Sequence, residues 1–413
     1  MPVLKVTITA CAPLVFSERR PDGQFRASTP YVPGTVLRGA LAQQLLNAGE
    51  ATDGDFATLF TAPEAPFFRN AYPAIEVEGE YRAARPLPAT AFSCKAESGF
   101  DKHGVFDGLI DRLCCEELDV KIPYLPRCLH SDHCDRNGRN DGERVEAFGG
   151  LFVDHKSVSV PLRLTTRVAI NRRRKAAEEG LLYSPLVISE LKKERDADTG
   201  QEREVKTVFQ SSIFVSDESS KIVQQRLKQL THIGSGAARG FGQVEVKVEE
   251  TKPEDVRERV ERFNQTIKRR WALWEKLRPV VSEPQPSTGD SAFFAVLLVS
   301  DAILRDDGWT PTVRLDPSLL PQALQDAKLA RCYASAEYRG GWNTAWGLPK
   351  DTELVARLGS VYVYHIAKPP DDQQLLAALN ELEEWGVGER RVEGFGQVRV
   401  CDEFHQVIQG VKA

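Results

Sequence analysis

The apolar positions of this chain repeat themselves. Val223, Leu227 and Leu230 fall at helical spacing and are followed by Gly234; Leu375, Leu379 and Leu382 do the same and are followed by Gly386, each position 152 residues on. Spacing of i, i+4, i+7 predicts one face of an amphipathic helix, and a glycine just past the last apolar position predicts its C-terminus. Both helices then enter glycine-rich stretches, GSGAARGFGQVEV (234–246) and GVGERRVEGFGQVRV (386–400), the second longer by two residues before its Gly-Phe-Gly-Gln-Val. Each stretch ends in alternating residues that read as a strand.

The beginnings of the two copies also correspond. Val3 to Ile8 alternates with Leu4, Val6 and Ile8 on one face, and Phe293 to Val299 is a continuous apolar run of the kind found in a strand buried on both sides. A unit that opens with a strand and closes with helix, glycine loop and strand has the outline of a ferredoxin-like β-α-β-β-α-β fold. The expectation is an α+β protein of two such RRM-like halves in tandem: 1–250 with an insertion at about 90–150, a helix and linker at 251–289, and 290–413. The helix is marked by Val256, Val260, Phe263, Ile267, Trp271 and Trp274, the linker by VSEPQPSTGD, and the boundary falls at about residue 285.

Composition narrows the class. The 413 residues are 41% hydrophobic and 27% charged, which excludes a disordered or fibrous chain. The longest apolar run, Ala292 to Val299, is far short of the ~20 residues of a membrane helix, so no membrane association is expected. The N-terminal MPVLKVTITA reads as a strand rather than an export signal, so a cytoplasmic protein is expected, with its 8 cysteines as reduced thiols or metal ligands. A net charge of −5 gives no whole-chain attraction to a polyanion, and such binding requires a local basic stripe. The best one is 163–175, where Arg163, Arg167, Arg172, Arg173, Arg174 and Lys175 stand without an acidic residue. The charged stretch after it, around Asp-Thr-Gly (198–200), reads as an extended hairpin or a mobile loop.

Glycine-rich turns let backbone N–H groups approach phosphate closely. Gly234, Gly236, Gly240 and Gly242 with Arg239, and Arg390 and Arg391 in the second loop, combine amides with cationic donors suited to a sugar-phosphate backbone. A lone loop of this kind is as well explained by tight packing of the last strand under its helix; two in register favour a ligand, although one of the pair can still be structural. Phe241 and Phe395 are candidates for stacking on a base, or are core residues.

Several segments together resemble the RAMP superfamily of CRISPR effector proteins: the paired loops, YVPGTVLRGALAQQL (31–45), RVAINRRRKAAEEGLLYSPLVI (167–188), and RGGWNTAWGLPK (339–350) with ARLGSVYVY after it. The last is most similar to the large, two-domain type III-D Csx-ten subunits, which are Cas-five-like. The resemblance implies a non-catalytic subunit that binds the repeat-derived 5′ handle of a CRISPR RNA. It would cap a backbone of Cas-seven-type subunits, adjoin the large Cas-ten-type subunit, and meet target RNA only indirectly. In the 31–45 segment Thr35 is the expected N-cap, Leu37, Leu41 and Leu45 the apolar face, and Gly34 and Arg38 the RNA-facing residues at the helix start.

Cys94, Cys114, Cys115, Cys128 and Cys134 cluster with His130 and His133 in the first half. Tetrahedral zinc takes four such donors. The superfamily often carries a cysteine after a "PaTa" turn and a cysteine pair farther on, which Pro88 to Cys94 and the Cys128/Cys134 pair match. The expected set is Cys94, Cys115, Cys128 and Cys134, with Cys114 or His133 as substitutes, in a structural zinc site; unliganded thiols are the alternative. Cys11, Cys332 and Cys401 read as small buried hydrophobes. For catalysis the candidates are His232, beside the first loop, then His103, His155, His365 and His405, and the carboxylates Asp22, Asp101, Asp107 and Asp111. The histidines support an alternative reading as a metal-independent endoribonuclease processing precursor RNA; the carboxylates would suit metal-dependent cleavage, but they show no paired arrangement of diagnostic spacing. A nucleotide-binding module is disfavoured, because neither glycine loop runs from a strand into a helix.

Overall fold

The structure, a computed structural model, describes residues 2–16, 28–49, 54–118, 120, 123–130, 134, 142–171, 173–195, 201–277, 291–343 and 347–409. Asp22, His133, Arg172 and the boundary near residue 285 lie outside them. The framework consists of β1 (Val3–Ala10), α1 (Gly34–Asn47), β2 (Tyr72–Val77), α2 (Leu109–Glu117), β3 (Val208–Phe214), α3 (Asp217–Lys228), β4 (Val244–Thr251), α4 (Arg257–Trp274), β5 (Ala292–Leu298), β6 (Lys328–Tyr333), β7 (Val361–Ile366), α5 (Gln373–Trp385) and β8 (Val398–Val400). It is a mixed α/β chain with antiparallel sheets. One sheet contains the run β4-β1-β3-β2, extended by Glu80–Ala83 beside β2 and by Phe67–Phe68 against β3, and the other runs β8-β5-β7-β6, every pair antiparallel. Numbered within its own half, each order is fourth, first, third, second.

Alternation sets the first sheet. Leu4, Val6 and Ile8 are fully buried, and α1 lays Leu37, Leu41 and Leu45 on the same core together with Val223 and Leu227 of α3. The continuous run of β5 is buried at all seven positions, so it carries protein on both faces. In the second half, two 3₁₀ turns (Pro317–Leu319 and Gln322–Leu324) lie between β5 and β6, where the first half has α1 between β1 and β2. Much of the cover for β5 is borrowed from earlier in the chain. Val256 at the cap of α4 with Val260, Phe263 and Ile267 within it, and Leu109, Ile110, Leu113 and Cys114 of α2, share one core with β5, β7 and α5. The helix expected between the halves thus packs into the second core, and so does a helix from the cysteine-bearing insertion.

Buried polar ties fasten that insertion. Asp111 accepts from Arg270 (2.6 and 2.8 Å) and from Trp274 Nε1 (2.9 Å) on α4. Asp107, fully buried, lies 2.6 Å from His405 Nδ1 near the C-terminus. Among the described residues no helix is long and apolar enough to cross a membrane.

Candidate metal centre and nucleic-acid interface

Four segments converge on one cluster. Cys94 ends the strand Ala91–Cys94, which pairs with Val105–Asp107 on one side and Val145–Ala147 on the other. The intervening loop is folded back by Ser93, whose Oγ donates to Gly104 O (2.8 Å) and accepts from Gly99 N–H (2.9 Å), and this brings His103 beside Cys94. Cys128 is held to the same strands because its N–H donates to Glu143 O (2.9 Å) while Lys95 N–H donates to Arg144 O (3.0 Å). Gly142 passes so close that a Cβ there would lie 2.1 Å from Cys128 O. Cys134 completes the group.

The donor atoms of Cys94, His103, Cys128 and Cys134 all lie within 4.8 Å of one another, and the three cysteines are buried. Cys94 Sγ is 3.3 Å from Cys134 Sγ, and His103 Nδ1 is 2.9 Å from Cys134 Sγ and 3.5 Å from Cys128 Sγ. Tetrahedral zinc at its usual bond lengths separates such donors by about 3.5–3.8 Å, so the set has the chemistry and the size for that ion. The electrostatics agree. Burial raises the Cys94 thiol, but hydrogen bonds from the Glu97 and Ala96 backbone and from Cys134 and Cys128 outweigh it and hold it below its ordinary value. Cys134 is pushed up to about 12 by burial and by the two neighbouring thiols. Without a cation the site does not ionise all three; a divalent ion removes that obstacle.

His103 stands where the sequence suggested Cys115. Cys115 is on the buried side of α2, where burial raises its thiol, and Cys114 beside it points to Ile267 O at 3.9 Å. His103 sits nine residues from Cys94, outside the close pairing that made the cysteines conspicuous. Cys401 is buried, but Cys11 and Cys332 are exposed.

The two glycine loops have the same backbone. Each is a 3₁₀ turn, Ala237–Arg239 or Arg391–Glu393, between two left-handed residues. Gly386 ends α5 with φ of +67°, whereas α3 stops at Lys228, well before Gly234. In the first loop Gly234, Ser235, Ala237, Ala238, Arg239 and Gly240 are exposed, while Phe241 is buried and covered by the guanidinium of Arg167, 4.9 Å from its ring centroid. Phe241 is therefore a core residue. Arg167 belongs to a ribbon in which Arg167–Asn171 pairs with Ala176–Tyr183, and Arg173, Arg174 and Lys175 are exposed at its turn. The basic stripe and the first loop meet at that ring.

The second loop is seated in the protein. Its turn packs on α1 and on Phe67–Phe68, and Phe67 meets Trp385 edge-on at 5.1 Å between centroids. A Cβ on Gly34 would fall 1.9 Å from Phe68 O, and one on Gly394 would fall 2.7 Å from Asn70 Oδ1. Gly34 N–H donates to Asn70 Oδ1 (2.8 Å), so that amide is spoken for. Arg390 lies over Phe395 (5.1 Å) and, with Lys350, on Glu393 (2.6 and 2.9 Å). Burial raises the Glu393 carboxyl, but these two cations outweigh it and hold it at about 2. Arg391 is half-buried, which lowers its guanidinium.

The start of α1 departs from expectation. The helix begins at Gly34 with Pro33 in the capping position and no side-chain cap, so Thr35 lies inside it and Arg38 a turn further in. Arg38 donates to Phe60 O (2.9 Å) and covers the Phe60 ring (5.1 Å). Burial lowers its guanidinium, and attraction to Glu393 opposes this. Of the histidines, His405 is buried on Asp107, burial lowers His365, and His232 is exposed with Nδ1 3.1 Å from Thr231 Oγ1.

No family model and no curated protein matches the chain. Among solved structures, it superposes on a chain of the type III-B Cmr-beta complex bound to cognate target RNA and AMPPnP, covering 87% of this chain and 86% of that one at 14% identity and a TM-score of 0.42. On a chain of the Csm3–Csm4 subcomplex of the type III-A CRISPR-Cas interference complex the figures are 88%, 92%, 12% and 0.36. On oligomeric Cmr4 from Pyrococcus furiosus they are 60%, 99%, 12% and 0.25. At these identities and overlaps the likenesses carry no conclusion about activity.

Proposed function

We propose that this chain is an RNA-binding scaffold subunit of a type III CRISPR effector complex, built of two tandem ferredoxin-like halves. In this reading it grips the repeat-derived 5′ handle of the guide RNA beside Cas-seven-type and Cas-ten-type neighbours, and a zinc ion on Cys94, His103, Cys128 and Cys134 orders the insertion. The observation that carries it is the exposed first loop, Gly234 to Gly240 with Arg239, adjoining the cationic ribbon at the contact of Arg167 with Phe241. Backbone amides and guanidinium groups on one surface suit phosphate. The sequence resemblance supplies the identity of the RNA, and the superposed CRISPR complexes agree with the reading without supporting it.

The test is a binding titration of repeat-derived RNA at several salt concentrations. Affinity is expected to fall steeply as salt rises, because phosphate contacts release counterions. It is expected to fall further in Arg239→Ala and in the Arg173→Ala/Arg174→Ala pair, with the RNA left at full length. Affinity indifferent to these changes overturns the reading, and a discrete shortened product abolished by His232→Ala replaces it with the endoribonuclease.

A further inference from the structure

Beyond β8 the chain folds back on the cysteine-bearing insertion. Asp402 caps a 3₁₀ turn, Glu403–Gln406, its Oδ1 accepting from Phe404 N–H (2.9 Å). The cap fixes where the next two side chains go. Phe404 is buried in one apolar cluster with Leu87, Ala91, Val105 and Phe152, its ring 5.0 Å from that of Phe152 between centroids. His405 is fully buried, with Nδ1 2.6 Å from Asp107 Oδ2. Asp107 N–H donates to Val407 O (2.7 Å), and the side-chain amide of Gln409 donates to Arg127 O.

These contacts fall on segments that carry metal donors. Ala91 opens the short strand that Cys94 closes, and Val105 and Asp107 lie on the strand paired with it, Ala91 opposite Asp107 and Ser93 opposite Val105. His103 stands two residues before Val105, and Arg127 immediately precedes Cys128. Residues 402–409 therefore hold three of the four donor-bearing segments. Releasing them is costly. With His405 gone, the buried carboxyl of Asp107 keeps, among the described residues, the N–H of Leu109 (2.8 Å), and a buried polar group short of a partner is destabilising. Metal affinity is sensitive to such support, because the donors must stand close to their bond lengths; loss of an outer support costs about 10–100-fold.

We infer that residues 402–409 are a strap that keeps the metal centre in its binding geometry. Phe404 and His405 are positioning residues that act on Cys94 and His103 through the strands Ala91–Cys94 and Val105–Asp107. Metal binding and seating of the strap then favour one another, and the coupling is reciprocal: the metal tightens the strap by the factor with which the strap tightens the metal. The inference rests on the reading of Cys94, His103, Cys128 and Cys134 as zinc donors, and it does not depend on which RNA the chain takes.

The experiment uses the full chain, stripped of metal. Cobalt(II) is added first, and its thiolate-to-metal absorption reports the cysteine donors; zinc affinity is then measured by competition with a chromophoric chelator. His405→Ala and Phe404→Ala are each expected to weaken zinc binding at least tenfold. His405→Asn, which keeps a donor for Asp107, is expected to recover most of that loss. Gly34→Ala, which strains the fold away from the insertion, is expected to leave zinc affinity within twofold of the parent. In the parent chain zinc is expected to slow hydrogen exchange across 402–409, and in Cys128→Ser it is not. This comparison decides the matter should His405→Ala fail to fold. Zinc affinity unchanged in both alanine variants, or exchange across 402–409 indifferent to zinc in the parent, overturns the strap. A parent chain that takes up cobalt without a thiolate band overturns the zinc reading itself, and the strap with it.

Discussion

The two glycine loops end in the same Gly-Phe-Gly-Gln-Val and fold into the same 3₁₀ turn, yet the first stands in solvent and the second between α1, Phe68 and Asn70. Aligned on that ending, Arg239 of the first loop corresponds to Glu393 of the second. Arg239 of the open loop is exposed, while Glu393 of the seated loop pairs with its own Arg390 and the adjacent Lys350. A glycine turn is thus a device for close approach of any backbone. What approaches, a ligand or the other half of the chain, depends on the residues around it.

The largest expected effect asks whether the loops are independent of the metal. Stripping zinc with a chelator, or Cys128→Ser, removes an ion whose binding is worth on the order of 10 kcal/mol in small structural sites. Elemental analysis should find about one zinc per chain beforehand. Hydrogen exchange should then show residues 94–104 and 142–147 losing protection while both glycine loops keep theirs; loss at either loop breaks the separation. Next is Gly34→Ala, whose Cβ runs into Phe68 O; it should destabilise the fold by about 3 kcal/mol, read as a lowered melting temperature. The open loop's counterpart, Gly240→Ala, meets no atom and costs only about 1 kcal/mol for its left-handed backbone.

Acid should separate the loops too. The folded-state carboxyl of Glu393 is held at about 2, below its unfolded value, so its contribution is fully present above about pH 4.5 and is lost as pH falls toward 2. Glu393→Gln should flatten that part of the stability profile relative to the parent chain, and a superimposable profile would show the seat to be unimportant. The smallest effects are on RNA. Arg239→Ala should weaken binding roughly tenfold, the scale of one charge-assisted contact, whereas Arg390→Ala should change affinity less than twofold and lower the melting temperature instead. The reverse pattern would exchange the roles of the two loops.

Much of the framework was legible. The faces of β1, α1, α3, α5 and the continuous run of β5 follow from spacing, because burial on one side or two imposes a period that side chains record. The periodicity of α4 was equally clear, but a one-sided apolar helix does not name its partner, and here the partner is β5 with α2. Three of the four metal-donor residues stood out as a local cluster of cysteines. His103 did not, because its place depends on a loop turned back by Ser93. The helix-start motif at Gly34 was visible as a pattern, and its glycine proved to be room for Phe68 and Gly394.

By itself the sequence determined the repeated succession of helix, glycine loop and closing strand, the cysteine cluster and the position of the basic stripe, since these depend on local spacing and composition. Tertiary structure decided which glycine loop faces water, which fourth residue joins the cysteines and which core claims α2 and α4. Those outcomes depend on backbone approach between segments far apart in the chain, and neither period nor composition encodes the distance between them.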